Sequence, residues 1–272
     1  MLRSLVGSEM CIRDRYIIVH MCEQHSIFGL VIVTNLLKLK KLLIKLLTFF
    51  IFPEKLRKNV RNFLFYFSYA DYIRFKKQNF HIVSLGCDCL PRVLTTAVKL
   101  KPRKIYGEKT LPFDLCRSFD LSKTIKLIET DFENYFDNLN ISKELYPHDY
   151  KLIKEHFIIR YKKRISNFLE LMKSEKSIYF IYADFDNLID ANAIEKLYSV
   201  LENKRNGRPF RIIILTAKDI IISNPDIYVI IQDFKINDGT WIKSFINDYG
   251  EIDDKYSRFC RKVGDEIKKC LQ

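Results

Sequence analysis

The residues best suited to chemistry in this 272-residue chain are two cysteines just past a glycine. From His81 to Leu100 the chain reads HIVSLGCDCLPRVLTTAVKL. An apolar run through Ile82, Val83 and Leu85 ends at Gly86, Cys87 and Cys89 follow, and Pro91 fits the first turn of a helix. Gly86 permits the sharp turn such a junction needs. Cys89 would then stand at the positive end of a helix dipole, where a thiol ionises more easily, and the thiolate is the attacking form of cysteine. A well-packed corner with buried thiols reads the same way, so position alone supports both.

Other polar residues are weighed in the same manner. His148 lies in Tyr146-Pro147-His148-Asp149-Tyr150, and a histidine after proline is by itself most often a surface or capping residue. Cys87, Cys89 and Cys116 with His148 lack the two-residue ligand spacing of zinc sites, so neither a metal nor a cofactor is expected. Asp184 and Asp186 read as strand-end caps before divalent ligands. The cluster Arg160, Lys162, Lys163 and Arg164 reads as a solvated helix face that a phosphate would also suit.

The elements that must position these residues are legible as apolar runs. Ser177 to Ala183, Arg211 to Thr216 and Ile227 to Gln232 are continuous, as in strands buried on both faces, and Phe80 to Leu85 makes a fourth. Helices are predicted over Pro91 to Leu100, Leu121 to Tyr135, Tyr150 to Lys173 and Asp190 to Asn203, with Asp190 as cap and Gly207 beyond the end, and again from Thr240. Strand, helix, strand spacing implies parallel pairing. The fold class expected is α/β: three layers, a mostly parallel sheet with helices on both faces, preceded by a basic amphipathic segment. Ligands of such sheets gather at the carboxyl ends of the strands. Gly86 to Cys89, Asp184, Asp186, Thr216 and Gln232-Asp233 all fall there.

Composition excludes wholesale disorder, with 48% hydrophobic and 14% aromatic residues. The net charge of +13 is unevenly spread: residues 38–77 hold eleven Lys and Arg against Glu54 and Asp71. Lys38, Lys41, Lys45 and Thr48 form a narrow polar stripe on a helix whose remaining surface is Leu39, Leu42, Leu43, Leu46, Leu47, Phe49 and Phe50. Such a helix suits the interface of an anionic membrane, through residues 36–77, and packing on the body is the plainer alternative. A nucleic-acid partner is not expected, since no stacking module or reading helix is recognisable. Seven irregularly spaced cysteines read as free thiols of a reducing compartment. The expected location is therefore cytoplasmic, peripheral at the inner face of the membrane. Residues 5–15, LVGSEMCIRDR, resemble a translated sequencing adapter and are set aside. The expected organisation is residues 1–15 as that artefact, 16–78 as a basic helical head, and 79–272 as the α/β domain.

Four boxes resemble a known family. Ser84-Leu85-Gly86 with Cys89, Pro112-Phe113-Asp114, His148-Asp149, and Tyr161 with Arg164 are similar in order and spacing to uncharacterised bacterial proteins described as papain-like cysteine peptidases. The resemblance covers about residues 80–185. Leu115 stands where that family has tryptophan, Lys163 replaces the first arginine of a pair, and Cys87 is an extra thiol. The resemblance implies Cys89 as nucleophile, His148 as general base and Asp114 as the acid that orients the imidazole, with the backbone after Gly86 as oxyanion hole. It also implies Ser84, Gly86, Phe113 and Arg164 as substrate-binding residues. A papain fold joins a helical half to a largely antiparallel barrel, whereas the strand pattern here is parallel, so the fold is taken from the pattern. The segment FFIFPEKLRKNVRN, Phe49 to Asn62, further resembles basic segments of bacterial enzymes that build surface glycans. Two functions follow as expectations. One is a thiol hydrolase or acyltransferase acting on a peptide or glycan-type substrate. The other is a non-peptidase protein of surface-glycan assembly that binds a nucleotide-sugar or phosphorylated glycan at the membrane face.

Overall fold

The computed structural model describes residues 39–40, 42–50, 54–86, 89–116, 120–137, 139–184, 189–231 and 254–271. Four strands, β1 (Phe80–Ser84), β2 (Ser177–Asp184), β3 (Phe210–Thr216) and β4 (Ile227–Ile231), form one sheet in the order β1-β2-β3-β4, parallel throughout. Side chains alternate between its two faces, as the strand period requires. Val83, Phe180, Tyr182, Ile212 and Ile214 enter one core, and Ile82, Tyr179, Ile181, Ile213 and Leu215 the other. A sheet buried on both faces explains why each strand is an unbroken apolar run.

Helices α1 (Glu54–Tyr66) and α2 (Tyr69–Lys77) precede the sheet, and α3 (Leu90–Ala97) follows β1. Then come α4 (Leu121–Glu129), α5 (Lys154–Met172), α6 (Ala191–Arg205) and α7 (Asp254–Cys270). α4, α5 and α6 cover the first face through Ile125, Phe157, Tyr161, Phe168 and Leu197. α3 and α7 cover the second through Leu90, Leu94, Val263 and Ile267. This is the expected three-layer α/β arrangement. A Cβ on Gly264 would collide with Val98, so only glycine lets α7 lie this close to the end of α3.

Two helix limits differ from expectation for visible reasons. α4 stops at Glu129 because Asp131, Phe132 and Asn134 have left-handed backbones, which turn Phe132 into the core. α5 begins at Lys154, since residues 147–150 form a turn in which the Asp149 amide donates to Tyr146 O at 3.0 Å. α6 is capped as expected by Asp190, whose carboxylate accepts from the Ala193 amide at 2.8 Å.

The head meets the body through α2. Tyr106 is gripped by the Ser68 amide, which donates to its hydroxyl at 3.0 Å, and by the rings of Phe67 and Phe75. Ahead of α1, residues 42–47 are helical. Ile44 and Thr48 are the buried positions there, and Arg61 Nε donates to Thr48 Oγ1 at 2.6 Å. Thr48 thus leaves the expected polar stripe and becomes the contact with α1. Leu42, Leu43, Leu46, Leu47, Phe49 and Phe50 stay exposed, Phe50 to 82%. Lys38 and Lys41 lie outside the described residues.

Candidate active site

The first box is a corner built by the backbone. The Leu85 amide extends the ladder by donating to Ile181 O at 2.9 Å, and Gly86 then turns at φ +108°. A Cβ there would lie 3.9 Å from Phe113 and Thr124, an ordinary contact, so the backbone angle and not space demands glycine. Cys89 occupies the N-cap of α3, its carbonyl accepting from the Val93 amide at 3.0 Å, with Pro91 in the first turn. Its side chain makes no capping bond to the helix, is half-buried and is in no disulfide. Cys87 and Asp88, with the amides expected to form an oxyanion hole, lie outside the described residues.

Cys116 links this corner to the other boxes. It is buried behind the Pro-Phe-Asp turn, with Sγ donating to Phe113 O at 3.4 Å. Burial pushes its thiol well up from the ordinary range, the nearby Asp114 and Cys89 add to the rise, and Arg164 opposes it. Tyr135, Tyr146 and Tyr161 complete a buried aromatic wall, with the Tyr135 and Tyr146 hydroxyls 3.3 Å apart. Burial raises the pKa of all three phenols.

Asp114 and Asp149 each bind cations in the interior. Asp114 is wholly buried: Oδ1 accepts from Lys101 Nζ at 2.9 Å and Oδ2 from the Leu111 amide at 2.7 Å. Arg92 lies 3.9 Å from Oδ2 and binds Glu108 at 3.2 Å, closing a four-charge cluster. Burial opposes ionisation of Asp114, but Lys101, Arg92 and the Leu111 amide overcome it and hold its pKa down. Both oxygens thus accept from the loop that Asp114 closes, and its orienting of the His148 imidazole stays an expectation of the resemblance. His148 sits half-buried in the turn of residues 147–150. Its neighbour Asp149 is turned to Arg160 and Arg164, the latter at 2.7 Å, and accepts from Tyr161 Oη at 3.4 Å.

Phe113 and Ser84, expected among the substrate-binding residues, lie in the core. Phe113 is completely buried between Phe132 and Phe168, with ring centroids at 5.5 and 5.9 Å, and builds the core beneath the corner. Ser84 is covered too, and its hydroxyl has no hydrogen-bond partner among the described residues. Gly86 acts through its backbone turn. Arg164 is buried against Asp149 and stacks its guanidinium 4.5 Å from the Tyr161 ring centre. Asp184 caps its strand by accepting from the Ile189 amide at 2.9 Å, and Thr216 accepts from the Lys218 amide at 3.1 Å. Asp186, Gln232 and Asp233 lie outside the described residues. Among the described residues, no group of three or more His, Cys, Asp or Glu is placed to hold a metal ion.

Two cavities flank these elements. One of about 640 Å³ runs along α5, lined by Leu115, Asp149, Arg160 and Arg164 among others. A second, of about 680 Å³, opens at the amino end of β1 between α2 and the body, beside His81, Glu108 and Lys176. The latter is larger but lies at the opposite end of β1 from Cys89, so size alone does not mark the site.

Sequence reasoning missed Arg205, which is fully buried and donates to the carbonyls of Met172, Ser174, Lys176 and Pro209 at 2.6 to 3.0 Å. The signal was available: Arg205 continues the buried stripe Ile194, Leu197, Leu201 of α6. Arg164 similarly interrupts the stripe Phe157, Tyr161, Phe168 of α5. Lys101 and the Leu111 amide, which bond Asp114, by contrast lie on a loop with no periodicity.

Compared with protein-family models, with curated proteins and with solved structures, the chain matches none of them.

Proposed function

We propose that the chain is a thiol-dependent acyl hydrolase or acyltransferase, with Cys89 as nucleophile and His148 as general base. The supporting observation is the place of Cys89: a half-buried thiol at the head of α3, just past the carboxyl end of β1. Cys116, which shares the corner, is fully covered and held as a neutral thiol. In this chemistry the imidazole takes the thiol proton, sulfur adds to the acyl carbon, and the departing group leaves with that proton. Water or an acceptor alcohol or amine then cleaves the thioester. Peptide-linked and glycan-linked acyl groups both fall within the class. Activity toward a panel of thioester and activated-ester probes tests it. Cys89→Ala should abolish turnover while leaving the far-UV circular dichroism unchanged, and full activity in that variant would dismiss the role of Cys89.

The same reading has the protein act at an anionic membrane surface. Support comes from the head, where leucines and phenylalanines at 42–50 are exposed together with Lys45. Among the described residues no helix is long and apolar enough to cross a bilayer, which is consistent with attachment in the interface. Flotation with phosphatidylglycerol vesicles should be lost in a Leu46→Glu, Leu47→Glu, Phe50→Glu variant. Equal flotation of variant and parent would contradict attachment through this face.

A further inference from the structure

We propose that the cavity of about 640 Å³ along α5 is a binding site for a phosphate-bearing, hydroxyl-rich small molecule. The site goes beyond the thiol reading and stands whether or not Cys89 is a nucleophile.

Charge is the first argument. Lys104, Arg160, Lys163 and Arg164 line the cavity, and Asp149 is the one acid among the described lining residues. A single carboxylate cannot neutralise two guanidiniums and two ammoniums, so the wall carries a positive surplus in a concave space where a field is focused. Geometry is the second. Asp149 holds both arginines, Arg164 at 2.7 Å, and each meets it through Nη1 alone. The acid therefore fixes the guanidinium planes while leaving other donors of each fork for a tetrahedral oxyanion, the group that arginine recognises bidentately. Arg164 is further pinned over the Tyr161 ring. Side chains held in advance lose less freedom when a ligand arrives.

Asn167 bears on the rest of the ligand. Asn167 lines this cavity, and the larger one as well. Its Nδ2 donates to Thr110 O at 3.2 Å, which settles the orientation of the amide. Oδ1 is then buried with no hydrogen-bond partner among the described residues. A buried acceptor of this kind calls for a donor, and the phosphoryl group of a phosphomonoester dianion offers none. A hydroxyl does. The volume suits a small phosphorylated metabolite.

Titration calorimetry on the full chain with inorganic phosphate and with glucose 1-phosphate tests the site. Both should bind saturably, the sugar phosphate more tightly, and Arg160→Ala or Lys163→Ala should each weaken binding about tenfold, the loss expected of one charge-assisted contact. Lys163 is exposed, so its variant keeps the fold; circular dichroism verifies this. Absence of saturable binding, or binding indifferent to both substitutions, overturns the proposal. Phosphatidylglycerol vesicles separate the sources of the phosphate. Vesicle binding that glucose 1-phosphate displaces and Lys163→Ala weakens assigns the site to a lipid headgroup. Vesicle binding unaffected by either assigns it to a soluble phosphate.

Discussion

Asp114 and Asp149 are both buried, and each holds two cations, yet their surroundings differ. Around Asp114 the charges balance: Glu108 and Asp114 face Arg92 and Lys101, all of them nearly inaccessible. Around Asp149 they do not, since it alone faces Arg160 and Arg164, and the cluster opens into a cavity with Lys104 and Lys163 on its wall. A closed, neutral cluster ties a loop to the body. An open cluster with surplus charge can also meet a ligand. Burial of an acid is thus a poor guide to its role, and the local sum of charges is a better one.

The difference can be broken most forcefully at Asp114. Asp114→Asn strands Lys101 and Arg92 in the interior with only Glu108 for neutralisation, and should cost about 3–5 kcal/mol in urea unfolding, the usual loss when one partner of a buried pair is removed. A loss below about 1 kcal/mol would mean that the cluster is not closed. Asp149→Asn should cost less, about 2 kcal/mol, because Arg160 is half exposed and can turn to water. Added phosphate should stabilise this variant more than the parent, since the surplus charge has grown by one. Equal stabilisation of the two would remove the contrast between the clusters.

The fold could be read from the sequence because its signal is repeated: four apolar runs with helices between them admit little besides a parallel sheet. The Cys89 corner was legible for a related reason, since Gly86 and Pro91 punctuate it within a few residues. The partners of Asp114 were not. Lys101 and the Leu111 amide, which bond it, lie on a loop of residues 98–116 whose path depends on tertiary packing, and nothing in their spacing pairs them with Asp114. The expected polar stripe of the head failed at Thr48 because a single arginine, Arg61, reached across from the next helix.

The smallest effect sharpens the comparison from the other end of β1. Burial lowers the pKa of His81, and Lys176 and Arg205 lower it further, from an ordinary value of 6.5. The unfolded chain therefore takes up a proton near that pH while the folded chain does not, so stability should fall as the pH drops below about 6.5. It should be restored toward neutrality. His81→Gln should flatten this part of the thermal stability profile without altering the steeper loss at lower pH, where the depressed pKa of Asp114 takes over as that carboxylate is protonated. An unchanged slope between pH 5 and 7, a window set by histidine titration, would place the titrating group elsewhere.

Cys89 is proposed as more reactive than Cys116 and Cys270, the two described thiols that burial holds neutral, and dose-limited labelling tests this most directly. Burial raises the pKa of both Cys116 and Cys270. Treating the folded chain at neutral pH with less than one equivalent of iodoacetamide, followed by peptide mapping, should find the label on Cys89 well before Cys270, with Cys116 unmodified until the chain is unfolded. Labelling of Cys270 at the same rate as Cys89, or faster, would contradict the account.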